Sequence, residues 1–292
     1  MATNKPNSRR NLDIAINRLS TSQTKRLQIR TIMANTIVGQ LLPTGAVKGG
    51  SALKLRYGNE VTRFTRDLDV ARKDDLDIYI SEFDSALKAG WSGFTGRIVT
   101  RQPASPEGVP NAYIMQPFDI KLSYNSKPWV TVPFEIGHDE IGDTVNPDYA
   151  ISPDIVEVFR ELGFPTPSPI ALMPIHHQIA QKLHGLSEAE SERAHDLIDL
   201  QLMIRNESID YRLVKDTCER LFISRKKQAW PPVIVEHEGW DSIYTAQARG
   251  LDVLEGVNQA VAWCNDLIAG IALAATFARK ARKRIEELPT IH

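Results

Sequence analysis

The sequence predicts a two-lobed α+β protein, with a mixed strand-and-helix first part over residues 1–150 and a mainly helical second part over residues 151–292. Three observations carry this prediction. Apolar residues recur at helical spacing through residues 11–42. Apolar and polar residues alternate over 118–124 and again over 129–136 with a turn between, the pattern of a β-hairpin. Beyond a stretch at 163–174 rich in Pro, Gly and Ser, the periodicity is almost wholly helical. At 292 residues and 42% hydrophobic content, the chain can bury the core of one large or two modest domains.

In chain order, Leu12, Ile16 and Leu19, then Leu27, Ile29, Ile32, Met33, Ile37, Val38 and Leu41, give a helical lead-in closed by Pro43, Thr44 and Gly45. Ala46 and Val47 approach Lys48-Gly49-Gly50-Ser51, and residues 52–57 read as a short amphipathic helix that Gly58 stops. Gly49, Gly50 and Ser51 therefore stand at a helix N-terminus. Backbone N–H groups and the positive end of the helix dipole converge there, glycine lets an anion approach closely, and the Ser51 hydroxyl adds a donor. Residues 65–71 read as a strand that puts Asp67 and Asp69 on one face and Leu68 and Val70 on the other, with the two acidic Cβ atoms roughly 6–7 Å apart. That separation lets both carboxylates reach one Mg²⁺ or an adjacent pair. Acid-x-acid pairs also occur at Asp75/Asp77, Glu82/Asp84, Glu188/Glu190 and Glu236/Glu238, so the pair is informative only because a Gly-Gly-Ser turn and a capped helix precede it.

Residues 78–87 suit another helix ending near Gly90, and the hairpin follows with its turn at residues 125–128. In its second strand Val130, Val132, Phe134 and Ile136 share one face and Glu135 takes the other, a candidate third carboxylate. Pro133 lacks a ladder donor and points to an edge strand or a bulge. In the second part, Ile175, Ile179, Leu183 and Leu186 set Lys182 beside an apolar stripe, where a lysine needs an anion. Arg193, Asp196 and Asp199 follow at spacings of three on one helix edge. Two readings stand: a salt-bridge network between two helices, or Lys182 on phosphate with Asp196 and Asp199 orienting it or a substrate hydroxyl.

Composition narrows the classes further. Two cysteines, Cys218 and Cys264, without Cys-x-x-Cys spacing, and a polar N-terminus without a secretory pattern point to a reducing cytoplasm. The longest uncharged apolar run, residues 267–278, is too short to span a bilayer and reads as a buried helix segment, so no membrane is expected. His176, His177, His184 and His195 lack the spacing of a zinc helix, and neither a Walker nor a Rossmann glycine motif is present. The net charge is −1, but residues 1–30 carry seven basic residues against Asp13 alone, and Arg279, Lys280, Arg282, Lys283 and Arg284 form a second cluster. Either cluster suits a phosphate backbone or a plain solvated helix face.

Taken together, Lys48-Gly49-Gly50-Ser51, Arg63-x-Thr65-x-Asp67-x-Asp69, Val132-Pro133-Phe134-Glu135, the stretch from Gln178 through Lys182 to His184 and the stretch from Arg193 through Asp196 and Asp199 to Leu200 resemble the AbiEii-type nucleotidyltransferase toxins, and within them the mycobacterial MenT branch. The resemblance spans nearly the whole chain. It implies a mixed β-sheet with helices of the DNA-polymerase-β-like nucleotidyltransferase type, followed by a mainly helical C-terminal lobe. It further implies a toxin of a toxin–antitoxin system that transfers NMP from an NTP to the 3′ end of tRNA, blocks aminoacylation and translation, and answers to a cognate antitoxin. The family pattern makes Asp67, Asp69, Lys182 and Asp199 the catalytic set. Lys48, Gly49, Gly50, Ser51, Arg63, Thr65, Lys182 and Asp196 become the nucleotide-binding set, and Asp67, Asp69 and Glu135 the ligands of Mg²⁺, with Mn²⁺ as a substitute. A pyrimidine nucleotide is the expectation attached to the resemblance, although no motif names the base. The same site would also serve a nucleotidyltransferase that modifies a small molecule or a protein. A phosphate on Thr65 would add about −1.5 to −2 charges beside the acid pair and compete with an incoming triphosphate.

Overall fold

A computed structural model describes residues 4–103 and 115–286, with side chains described as far as residue 274. The chain forms two compact units, Met1–Pro174 and Ile175–His292. The first is α+β and the second is helical, the class that the sequence predicts.

In the first unit the lead-in is two helices, α1 (Arg9–Arg18) and α2 (Gln23–Gly39), each begun by a serine, Ser8 or Ser22, whose side chain accepts a backbone N–H of the first turn. Every residue of α2 from Ile32 to Val38 is buried, so this helix runs through the core instead of lying on its surface. Strand β1 (Ala46–Lys48) leads directly into α3 (Gly49–Tyr57). Strands β2 (Leu68–Arg72), β3 (Phe94–Thr100), β4 (Gln116–Tyr124), β5 (Lys127–His138), β6 (Asp148–Ala150) and β7 (Ile170–Leu172) complete a mixed sheet of order β3-β4-β5-β2-β1-β7-β6. Helix α4 (Leu76–Ala89) links β2 to β3, and α5 (Pro153–Glu161) links β6 to β7. Leu12, Ile16, Ile37, Phe83 and Phe159 from the helices pack with Leu68, Val70, Ile120, Val132 and Phe134 in one core. The expected first part ended at residue 150; the first unit runs on to Pro174 because β7 pairs in parallel with β1 and antiparallel with β6, tying that segment into the sheet.

The hairpin turn is tighter than residues 125–128. Only Asn125 and Ser126 lie between β4 and β5, both with positive φ (44° and 63°), the geometry whose twist matches that of the flanking strands. Nor is β5 an edge strand, since β4 flanks it on one side and β2 on the other. Pro133 is accommodated because the parallel ladder with β2 begins at Leu68↔Phe134. One step further, Asp67 would face Pro133, which has no N–H to offer, so β2 starts at Leu68 and not at Thr65.

The second unit comprises α6 (Ile175–Leu186), α7 (His195–Asn206), α8 (Tyr211–Arg225), α9 (Trp240–Ala248) and α10 (Val257–Glu286). Leu183, Leu197, Leu200, Val214, Cys218, Trp240, Tyr244, Ala260 and Cys264 are among its buried residues. Burial pushes the Cys264 thiol up to about 12 and raises that of Cys218 as well, so both stay protonated and inert. Of the apolar run at 267–278, Leu267, Ile268 and Ile271 are buried while Leu273 faces solvent. The basic run at 279–284 lies outside the described side chains. Among the described residues no helix is long and apolar enough to cross a membrane.

Candidate active site

The sheet of the first unit brings Lys48, Asp69 and Glu135 into one row. Lys48 on β1 is the register partner of Asp69 on β2, and Asp69 is the partner of Glu135 on β5. Register partners on neighbouring strands point to the same face with Cβ atoms about 4.5–5.5 Å apart. Leu68, Val70, Phe134 and Ile136 turn into the helix-covered core, so the alternation of each strand sends Asp69 and Glu135 to the opposite face. A cation and two carboxylates thus line up across three strands that are far apart in sequence.

At the end of β1 the chain makes a turn that favours glycine. Gly49 has φ +66°, and a Cβ there would come within 2.7 Å of Asp69 Oδ2. A Cβ on Gly50 would come within 2.9 Å of Arg63 Nη2 and 3.4 Å of Thr65 Cβ. Arg63, Thr65 and Asp69 therefore border the glycine turn. The residue preceding α3, Lys48, makes no side-chain hydrogen bond to the first turn. The first N–H groups of a helix have no intrahelical partner, and the dipole there favours an anion.

Ser51 has a different place from the one its motif suggests. It is buried, and its hydroxyl donates to the Asp67 carbonyl in a short contact while accepting from Asn35 Nδ2 at 3.4 Å. The one hydroxyl proton is thus used inside the protein. Ser51 can serve an anion through its backbone N–H, while its side chain fixes the segment that carries Asp67. Asn35 is the residue that sequence reasoning passed over, and its signal is an amide set within the apolar run Ile32, Met33, Ala34, Ile37, Val38.

Asp67 lies just ahead of β2, two residues before Asp69. Among the described residues no group of three or more His, Cys, Asp or Glu side chains is placed to hold a metal ion by itself. The donor chemistry nonetheless fits Mg²⁺, a hard cation usually held by one or two carboxylates with substrate phosphates and water completing its shell. Asp69 and Glu135, register partners on neighbouring strands, are two carboxylates of that kind, and Asp67 lies two residues before Asp69.

The loop after β5 brings acidic residues into the electrostatic range of Lys48. Asp139 accepts the backbone N–H groups of Gly142 (2.5 Å), Asp143 (2.9 Å) and Thr144 (3.2 Å) and the Thr144 hydroxyl (2.6 Å). Burial works to raise the Asp139 pKa, but these donors outweigh it and hold it below the usual carboxylate value. The neighbouring Asp143 is buried and pushed up to about 7, chiefly by burial and then by the Asp139 charge, with Lys48 acting in the opposite direction.

In the second unit, Lys182 on α6 donates to Asp196 Oδ1 and Asp199 Oδ2 on α7, both at 2.6 Å, with side-chain exposures of 5%, 0% and 1%. Arg193 Nε also reaches Asp196 Oδ2 at 2.6 Å. Gly185 permits this approach, since a Cβ there would meet Arg193 Nε at 2.7 Å. Burial drives the Asp196 pKa upward, yet Lys182, Arg193 and His195 overcome it and hold the group well below the ordinary carboxylate range. Of the two readings of these residues, the inter-helix ion network is realised in the geometry. Two of the three Lys182 protons are engaged in it.

Among proteins of curated function no relative matches this chain. Of solved structures, MenT4, a nucleotidyltransferase toxin of Mycobacterium tuberculosis, is similar with a TM-score of 0.50 at 15% identity, over 92% of this chain and 98% of that one. JHP933 from Helicobacter pylori gives a TM-score of 0.48 at 15% identity, over 91% of this chain and 99% of that one. The likeness to MenT4 is one of fold. A family model described as nucleotidyl transferase AbiEii toxin of a type IV toxin–antitoxin system matches residues 32–283, most of the chain, and the chain belongs to that family.

Proposed function

We propose that this nucleotidyltransferase toxin transfers a nucleoside monophosphate from an NTP to the 3′ end of tRNA, with Mg²⁺ as its metal, and so blocks aminoacylation and translation in the cytoplasm. Family membership supplies the reaction class, the NTP substrate and the existence of an antitoxin. The observation that carries the reading to this chain's residues is the Lys48–Asp69–Glu135 row beside the Gly49-Gly50 turn. The choice of tRNA rests on the ordered motifs shared with the MenT branch.

The 3′-hydroxyl of the acceptor attacks the α-phosphate in line, forming an O–P bond as the bond to pyrophosphate breaks and the hydroxyl proton passes to solvent water. Gly49, Gly50 and Ser51 offer backbone N–H groups and the helix N-terminus to the triphosphate. Lys48 and Arg63 add positive charge at the two edges of that turn, and Thr65 lies against it. Asp67, Asp69 and Glu135 would hold Mg²⁺, which when bound neutralises the charge that builds on the attacking and leaving oxygens. Asn35 and Ser51 act through Asp67 by fixing its backbone, and are positioning residues. In the helical unit, Lys182, Asp196 and Asp199 lock α6 to α7, which makes Lys182 a positioning residue too.

The test is to incubate the purified chain with Mg²⁺, total tRNA and each labelled NTP in turn. Label in tRNA, released by cleavage of its terminal nucleotide, supports the reading. Label in protein or in a small molecule, with none in RNA, replaces tRNA by another acceptor, and no incorporation anywhere contradicts the reading altogether.

A further inference from the structure

The sheet face that carries Asp69 and Glu135 continues beyond them. Glu135 is the register partner of Pro117 on β4, and the Arg101 N–H, just past β3, donates to the Pro117 carbonyl at 3.0 Å. Two residues along, Pro133 faces Asp119, and two further along, Thr131, Lys121 and Arg97 stand side by side on β5, β4 and β3. Strand alternation puts all of these on the Glu135 face, while Phe118, Ile120, Leu122 and Tyr124 enter the core with α1, α2, α4 and α5. Arg97 and Thr131 are exposed, and the Lys121 side chain is 38% exposed. A trough of about 620 Å³ opens here, lined by Arg9, Arg97, Lys121, Ser123, Trp129 and Thr131 among others.

Across the whole chain 35 basic residues nearly balance 36 acidic ones, but beyond the Glu135 row, which Arg101 flanks, this strip holds Arg97 and Lys121 with Asp119 as its acid. Asp119 tethers the cations rather than neutralising them all, with Oδ2 at 2.9 Å from Lys121 Nζ and Oδ1 at 4.0 Å from Arg101 Nη1. From the Glu135 row to the Lys121 row is four residues, about 13 Å. The spacing suits a strand of phosphates leading away from a reacting end held at Asp69 and Glu135.

We propose that this open face of β3, β4 and β5 seats the sugar–phosphate backbone of the RNA acceptor behind its 3′ end, with Arg97, Lys121 and Arg101 as the phosphate contacts. The inference rests on the tRNA reading above. Such contacts give affinity without reading sequence, in keeping with RNA recognition through shape and backbone.

The test is the affinity of the full-length chain for fluorescently labelled, deacylated tRNA, measured by anisotropy across a salt series. Losing two phosphate contacts lowers the slope of log affinity against log salt by about 1.4–1.8, so R97Q/K121Q should show that change and R97E/K121E at least a tenfold loss of affinity, with NTP binding retained. T131K adds a cation in the middle of the strip and should tighten tRNA binding and steepen the slope by about one, a gain that misfolding cannot produce. Affinity and slope equal to those of the parent chain in R97E/K121E and in T131K overturn the inference. Failure of the tRNA reading looks different: the parent chain leaves tRNA unlabelled with every NTP. If the variants still shift tRNA affinity in that case, the face is an RNA seat and the inference stands. If the parent binds no tRNA at all, both fall.

Discussion

Lys182→Met separates the two roles open to the buried lysine of the helical unit. The substitution keeps the side-chain length and removes the charge. In the parent, Lys182 Nζ gives two hydrogen bonds of 2.6 Å to carboxylates that are 0% and 1% exposed. Removing one partner of a buried ion pair while the other charge stays costs about 3–5 kcal/mol, and the Arg193 contact to Asp196 places this case toward the lower end. With urea m-values of about 1–3 kcal/mol per molar, the midpoint should fall by roughly 1–3 M. The assay is urea unfolding at pH 7 followed by far-UV circular dichroism. The pH dependence has a definite sign. Asp196 has a folded pKa below its unfolded one, so its contribution to stability is present above about pH 4, the unfolded value, and is lost as pH falls toward the folded one. The gap between parent and variant should therefore narrow in acid. A loss below about 1 kcal/mol together with abolished nucleotide transfer would refute the anchoring role and make Lys182 a phosphate ligand.

Three further outcomes follow from the first unit. Gly49→Ala forces a Cβ to 2.7 Å from Asp69 Oδ2 at a φ of +66°, so it should cost about 1–2 kcal/mol in thermal or urea unfolding and displace Asp69, lowering transfer by about 10²-fold or more. Ser51→Ala removes the donor to the Asp67 carbonyl and should cost about 1–3 kcal/mol, with transfer falling through misplacement of Asp67; restoration by Ser51→Thr would mark the hydroxyl as the cause. Asp143 has a folded pKa of about 7 against an ordinary 3.8, so the native state binds the extra proton between these values and stability falls as pH rises across them. Asp143→Asn should therefore stabilise by up to about 4 kcal/mol at pH 8 and leave stability at pH 4 unchanged, and a pH-independent difference in melting temperature would contradict this assignment.

Local chemistry made much of this molecule legible in its sequence. Gly49-Gly50 and the helix that Gly58 stops are short-range patterns whose conformational demands are specific, and both are found where their residues put them, whereas of the acid pair only Asp69 lies on β2 and Asp67 falls just ahead of it. The alternation that placed Glu135 opposite the core face holds as well, because a one-residue slip of β5 would bury that carboxylate. Long-range pairing was harder to read. Nothing in residues 46–48 announces that β1 lies between β2 and β7, nor that Lys48 ends opposite Asp69. Pro133 marks neither an edge nor a bulge: β5 is interior, its irregularity falls opposite Leu122/Ser123, and the neighbouring ladder stops one residue before it needs the missing N–H. At a Gly-Gly-Ser turn that opens a helix the Ser51 hydroxyl reads as one more donor to an anion, whereas burial beside Asn35 of α2 leaves it donating to the Asp67 carbonyl. Lys182, Asp196 and Asp199 were recognised as a set, but only the packing of α6 on α7 shows that they satisfy one another.

The central claim, that Asp67 and Asp69 hold the metal for nucleotide transfer to tRNA, is tested most directly by mass spectrometry of tRNA 3′-terminal fragments after incubation with NTPs and Mg²⁺. The parent chain should lengthen the 3′ end by nucleotide units, and Asp67→Asn and Asp69→Asn, folded by circular dichroism, should lower that extension by about 10²–10³-fold or more. Unextended tRNA with the parent chain, or undiminished extension with Asp69→Asn, would contradict it.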